Sequence, residues 1–214
     1  MEAQADGEVD RSIAGDADGN AWYAHFMNFS IGNGFFGGDR DTHGKPKGTI
    51  RPGDQITRLE MLKVEVMLAV KAGVLNCDAN TVTETSETDW LGDHWARGYV
   101  QCVEDAGIEL TLLNDVIAGD PDTANAPALR WEVVVTLFEL MGLDVPEFDE
   151  ALLDDLDAGE IDAEFTDAIN EAVEIGVISG YPDHTFKPTK AVNRAEMMKI
   201  ISLFDAYLDL SIAQ

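Results

Sequence analysis

Thr57-Arg58-Leu59-Glu60, Leu129-Arg130-Trp131-Glu132 and Asn193-Arg194-Ala195-Glu196 each place an arginine two residues before a glutamate, at the mouth of an apolar run with helical spacing. A charged motif returning at an interval of about 70 residues means one structural unit used three times, and hence three related surfaces rather than one catalytic centre. In the first and third copies the leading Thr57 or Asn193 and the trailing Glu60 or Glu196 have the spacing of a capping box, in which cap side chain and glutamate satisfy each other's backbone amides. Glu132 keeps its place in the second copy, but Leu129 stands where the cap should be. Capping does not explain the arginines, because a cation in the first turn opposes the helix dipole. Two readings stand for Arg58, Arg130 and Arg194. One is an anion site built from helix N-terminal amides and a planar guanidinium; the other is an ion pair inside the protein that ties units together.

Outward from these motifs, each unit reads as a first helix, a Gly/Asp/Pro loop and a second helix opened by the arginine. The first helices carry apolar stripes through Trp22, Phe26 and Met27, through Trp95, Tyr99 and Val103, and through Phe165, Ile169 and Val173. They end near Gly32 or Gly34, Gly107 and Gly176. The second helices are apolar over more of their circumference, which predicts a shared core with the first helices outside. Val133-Val134-Val135-Thr136 alone reads as a strand, and the repeat outweighs that reading. The expected organisation is a flexible segment over 1–18, then units over 19–80, 81–147 and 148–214, the second degenerate. Stretches 76–90 and 144–160 read as acidic connections, with a short helix over Phe148 to Leu156.

The 214 residues include 41 acidic and 14 basic side chains, for a net charge of −27. Such a field repels nucleic acid phosphate and anionic lipid, so neither is an expected partner. No run approaches the roughly 20 apolar residues of a membrane span, and Met1-Glu-Ala-Gln-Ala has no signal-peptide pattern. Cys77 and Cys102 lack metal-ligand spacing and read either as a disulfide or as two buried thiols. Asp16-Ala17-Asp18-Gly19-Asn20 is similar to the start of a calcium loop, but Ala21 and Met27 occupy the positions of its glycine and its bidentate glutamate. No metal or other cofactor is expected. His25, His43, His94 and His184 are scattered and none lies beside a nucleophile, so catalysis is not expected.

The loop Ile178-Ser179-Gly180-Tyr181-Pro182-Asp183-His184-Thr185-Phe186-Lys187-Pro188 sets Tyr181 in a tight turn ahead of Arg194. Unit one matches its later half with Gly48-Thr49-Ile50-Arg51-Pro52 and carries six extra residues around Thr42 to Lys47. Aromatics beside a cation fit a sugar bearing an acid substituent. Core packing competes as the reading of Trp22 and Trp95, and less so for Tyr181, which lies in a loop.

Ser179 to Glu196 resembles the signature of the S-layer homology domain, and weaker likenesses run through Trp22-Tyr23-Ala24, Ile50 to Glu60, His94 to Val100 and Arg130 to Glu132. The resemblance implies an all-α fold: a pseudo-threefold trimer of helix–loop–helix repeats around a central three-helix bundle. It also implies an exported, extracellular protein at the cell surface. Its partner would be a secondary cell wall polysaccharide or other envelope glycan, often pyruvylated, held between repeats with the signature arginine on the acid group. The ligand-binding residues so implied are Arg58, Arg130, Arg194, Trp22, Trp95, Gly180, Tyr181 and Asp183. Asp120, Leu129 and Trp131 depart from the pattern and mark Arg130 as the damaged copy. His184 departs from it in place of the usual glycine, and Glu164 in place of a tryptophan. The alternative is an envelope or S-layer assembly subunit, calcium-dependent in one form, with lattice or homo-oligomer contacts and arginines paired internally.

Overall fold

The computed structural model describes residues 11–81, 90–156 and 161–212. Among them the regular structure is helical: α1 (Arg11–Ala14), α2 (Ala24–Gly32), α3 (Arg58–Lys71), α4 (Arg97–Asp105), a π-helical turn (Leu112–Ile117), α5 (Pro121–Ala124), α6 (Arg130–Met141), α7 (Ala163–Glu174) and α8 (Arg194–Ile212). The fold is all-α. Val133 to Thr136 lie inside α6 and are buried there, so burial outweighs the β-branched preference for a strand.

Three helices open at the three arginines. Thr57 accepts from the Glu60 amide at 3.2 Å while Glu60 accepts from the Thr57 amide at 3.1 Å. Asn193 and Glu196 repeat this at 2.8 and 3.0 Å. Leu129 has no acceptor, so only the glutamate half survives in α6, where Glu132 accepts from the Leu129 amide at 2.9 Å.

Just before these caps the three chain segments pair with one another. The Ile56 amide donates to Val192 O at 3.0 Å, the Val192 amide to Ala128 O at 2.9 Å, and the Ala128 amide to Ile56 O at 2.9 Å, closing a ring of backbone hydrogen bonds. Two residues on, the Arg58, Arg130 and Arg194 amides donate to Ala126 O, Lys190 O and Asp54 O. Beneath the ring α3 packs on α6 and α8, and Phe138 of α6 meets Phe204 of α8 edge to face at 5.9 Å. Farther out, α2 packs on α8, α4 on α3 and α7 on α6, while α5 packs on the π-helical turn. The buried apolar residues form a cluster that runs from Ala14 to Phe204 and so includes all three segments.

Several expectations are corrected. Residues 1–10 lie outside the described residues, but the expected flexible lead-in ends well before residue 18. Ala14 and Ala17 are buried, and the Asp16 carboxylate accepts from the Ile50 and Arg51 amides at 2.8 and 2.9 Å. Both oxygens that the calcium-loop reading needed at Asp16 are thereby engaged. Phe148 to Leu156 do not form a helix. Their amides donate elsewhere: Phe148 to Asp167, Leu152 to Asn170 and Asp154 to the His184 carbonyl. Asp155 there does what Asp16 does, accepting from the Phe186 and Lys187 amides at 2.6 Å each. Of the two readings of the cysteines the disulfide is the one formed, with 5.7 Å between the Cα atoms of Cys77 and Cys102. Nearby Gly98 lets the Ala79 carbonyl approach α4 closely, since a Cβ there would fall 1.7 Å from that oxygen.

Candidate functional site

The three arginines follow one geometry and differ in what meets the guanidinium. Each reaches from its own helix to the neighbouring unit. Arg58 grips Glu132 with two prongs, Nε to Oε2 at 3.0 Å and Nη2 to Oε1 at 2.7 Å, and donates to the Thr123 carbonyl at 3.0 Å. Arg194 donates to Glu60 at 2.9 Å and to the Ile50 carbonyl at 2.8 Å, with Phe36 beneath it at 5.1 Å. Glu132 and Glu60 thus each serve two ends, holding their own helix and an arginine from another unit. For these two arginines the internal ion pair is formed.

Arg130 is different. It donates to the Phe186 carbonyl at 2.8 Å and to the Ser179 carbonyl at 3.1 Å, and its guanidinium lies between the rings of Tyr181 and Phe186 at 4.9 and 4.7 Å. Among the described residues it has no carboxylate within ion-pair distance. Its counterpart by analogy is Glu196, but that carboxylate is held by Lys190 at 3.2 Å. Lys190 stands four residues before its arginine, where the other units have Asp54 and Ala126, so one side chain opens this link. Burial pushes the Arg130 guanidinium below its ordinary value, partly offset by Tyr181, Glu196 and Asp155. The result is a desolvated cation held by two carbonyls and two aromatic faces, with donors left over.

That cation lines a cavity of about 620 Å³ with Trp22, Ser179, Gly180, Tyr181, Glu196 and Lys199. The Tyr181 hydroxyl accepts from Lys190 at 2.6 Å, and the Lys187 ammonium stands 4.3 Å from the ring centre. A second cavity of about 630 Å³ repeats the plan with Trp95, Arg194, Glu60, Lys63, Phe36 and Asp39. There Asp39 takes the place of Tyr181, each donating its amide to a threonine carbonyl, Thr49 or Thr185. Trp22 and Trp95 are 59% and 50% exposed, which corrects the core-packing reading for both. They precede α2 and α4 rather than belonging to them, and each overhangs a groove built by other units.

Gly180 and Asp183 serve the loop. A Cβ on Gly180 would come within 2.6 Å of Leu153. Asp183 accepts from the Thr185 hydroxyl and from Lys187 at 2.6 and 2.9 Å, which together draw its carboxyl down to about 2. His184 adopts φ 63°, the left-handed conformation a glycine would take there, and contacts Asp154 at 3.2 Å. Asp120 caps α5 through the Asp122 amide and binds the Thr123 hydroxyl. Trp131 stacks on Phe165 at 5.0 Å, so the bulky residue of unit two meets the shifted aromatic of unit three. The side chain of Glu164 lies outside the described residues.

Two segments of the chain can be matched to a known family. The S-layer homology domain model matches residues 15–62 and 156–198. The matched segments begin beside Asp16 and Asp155, the two carboxylates that cradle the loops after them. Arg130 and most of the middle unit lie between them. The chain is also 24% identical over 183 residues to Cell surface glycoprotein 1 of Acetivibrio thermocellus; the alignment covers 79% of this chain and 7% of that protein. Among the described residues no helix is long and apolar enough to cross a membrane.

Proposed function

We propose that this chain is a cell-surface anchoring module that binds an anionic envelope polysaccharide without a covalent bond. Its leading site is the groove of Arg130, Tyr181 and Trp22. The observation that carries this reading is Arg130, a buried guanidinium with no carboxylate partner among the described residues, opening on a cavity with an exposed tryptophan. A carboxylate substituent on a sugar, a pyruvate ketal in the finer form of the reading, would supply the missing charge while Trp22 and Tyr181 face the ring. The Arg194 groove would be a weaker second site, because Glu60 competes for the guanidinium. Similarity to S-layer homology domains and to a cell surface glycoprotein supports the same class of role.

The test is co-sedimentation with purified cell-wall sacculi, before and after mild acid removal of ketal substituents. Binding is expected to fall at least tenfold in Arg130→Ala, since a hydrogen bond to a charged group contributes about 1.5–3 kcal/mol. A folded Arg130→Ala protein that sediments like the wild type sinks the assignment. A second reading, an envelope assembly subunit clamped by its arginines, is favoured by the Arg58–Glu132 and Arg194–Glu60 pairs. It expects ordered self-assembly without wall material.

A further inference from the structure

The extra residues of unit one form an ordered basic hairpin at the mouth of the Arg194 groove. The Asp41 amide donates to Lys45 O at 2.9 Å and the Lys47 amide to Asp39 O at 2.8 Å, while the Arg40 guanidinium closes the turn on Gly44 O at 2.8 Å. Its two acids are engaged within the fold. Asp41 Oδ1 accepts from the His43 and Lys45 amides at 2.9 Å each. Asp39 is gripped by Arg51 at 2.7 and 2.8 Å and by the Thr49 hydroxyl at 2.6 Å. Lys45 and Lys47 are exposed and have no ion-pair partner among the described residues.

This placement goes against the charge of the molecule. Between Ala72 and Phe186 the only cations are Arg97 and Arg130, so a lysine on an arbitrary surface would find a carboxylate nearby. Instead Arg40, Lys45 and Lys47 gather on one turn, and Arg40 lines the Arg194 groove together with Lys63. Cations crowd there: burial first, then Arg194 and Arg40, hold Lys63 below the usual lysine range, with Glu60 offsetting in part. Like charges assembled at this cost wait for an anion from outside.

We propose that the hairpin over residues 39–47 is a second anion subsite that extends the Arg194 groove. It would bind a polymer with repeated carboxylate or phosphate groups rather than a sugar with a single acid group. The proposal rests on the anchoring reading, and it adds a ligand class and a track: Lys63 and Arg40 in the groove, then Lys45 and Lys47 outside it. The alternative occupant, the acidic surface of a second copy, is less favoured because the hairpin continues a groove.

The experiment compares the wild type with Lys45→Ala/Lys47→Ala, both changes being on exposed side chains. It measures affinity for polygalacturonate and for polyglycerol phosphate across salt concentrations, with sedimentation on sacculi in parallel. The double variant is expected to lose roughly five- to tenfold in affinity at low salt and to show a shallower salt dependence, as two exposed charge contacts would supply. Preference for one polymer names the acid group. Wild-type binding to sacculi with unchanged polyanion affinity in the variant overturns the subsite and leaves the anchor standing. Absence of wild-type binding to sacculi and to both polymers overturns both. Self-association that the variant abolishes, without polyanion binding, assigns the hairpin to a second copy and overturns the polymer subsite.

Discussion

Arg58 and Glu132, 74 positions apart in the chain, form a two-pronged ion pair between α3 and α6, with Glu132 only 1% exposed. Its removal from one side leaves a buried carboxylate without its counter-ion. Arg58→Ala is therefore expected to destabilise the fold by about 3 kcal/mol or more. The double change Arg58→Met/Glu132→Met should recover much of that loss. Chemical denaturation of both variants checks it, and equal losses would place the energy elsewhere.

Arg130 should behave in the opposite way. It holds two carbonyls and two rings but, among the described residues, pairs with no carboxylate. Arg130→Lys keeps the charge and loses the planar fork that fits between the rings. Sedimentation on sacculi should drop severalfold in this variant while the melting temperature moves little. Restored arginine pairing offers a second check. Lys190→Ala frees Glu196 to take Arg130 and also removes the donor to the Tyr181 hydroxyl, and is expected to weaken wall binding.

Glu65 lies fully buried on α3 with neither carboxylate oxygen hydrogen-bonded among the described residues. Burial first, then Glu139 and Glu132, hold its carboxyl well above the ordinary value of 4.5. The folded chain thus keeps a proton that the unfolded chain gives up near that value. The stability that goes with this proton is complete below pH 4.5 and declines as pH rises toward the raised value. Glu65→Leu should flatten the pH dependence above 4.5 and raise stability at neutral pH by about 1–3 kcal/mol. Melting curves from pH 4 to 8 decide it; a Leu variant that melts lower at pH 7 would contradict it.

The disulfide between Cys77 and Cys102 closes a loop of 25 positions. Reduction, or Cys77→Ser/Cys102→Ser, is expected to cost about 3 kcal/mol through the greater freedom of the unfolded chain. Calorimetry with and without reductant measures it. Gly98→Ala in the oxidised protein should be at least as damaging, because the new methyl meets the Ala79 carbonyl head on.

The helix starts were readable because capping is local. Thr57 with Glu60, and Asn193 with Glu196, lie within one turn, and the same spacing carried α6 past its missing cap and its valine run. What the arginines touch was not readable, because each pair closes through space: Arg58 with Glu132, Arg194 with Glu60. The choice of Arg130 as the damaged copy rested on residues of its own stretch of sequence, Asp120, Leu129 and Trp131, whereas its surroundings are set by Phe186, Tyr181 and Lys190. One signal was present in the chain. Lys190 occupies the place of Asp54 and Ala126, and a cation there predicts capture of the nearby glutamate. The cradling role of Asp16 and Asp155 went unread, because one sat in a supposed lead-in that was read as the start of a calcium loop and the other in a supposed linker. Only the folded loops show that both do one job.

The ring through Ile56, Ala128 and Val192 has a mechanical consequence. In the ring each segment donates to one neighbour and accepts from the other, so a pull on any one of them strains two of the three bonds at once. Failure under tension then requires near-simultaneous rupture rather than the peeling of one bond after another. A protein clamped in this way resists force by geometry, even where each bond is individually weak.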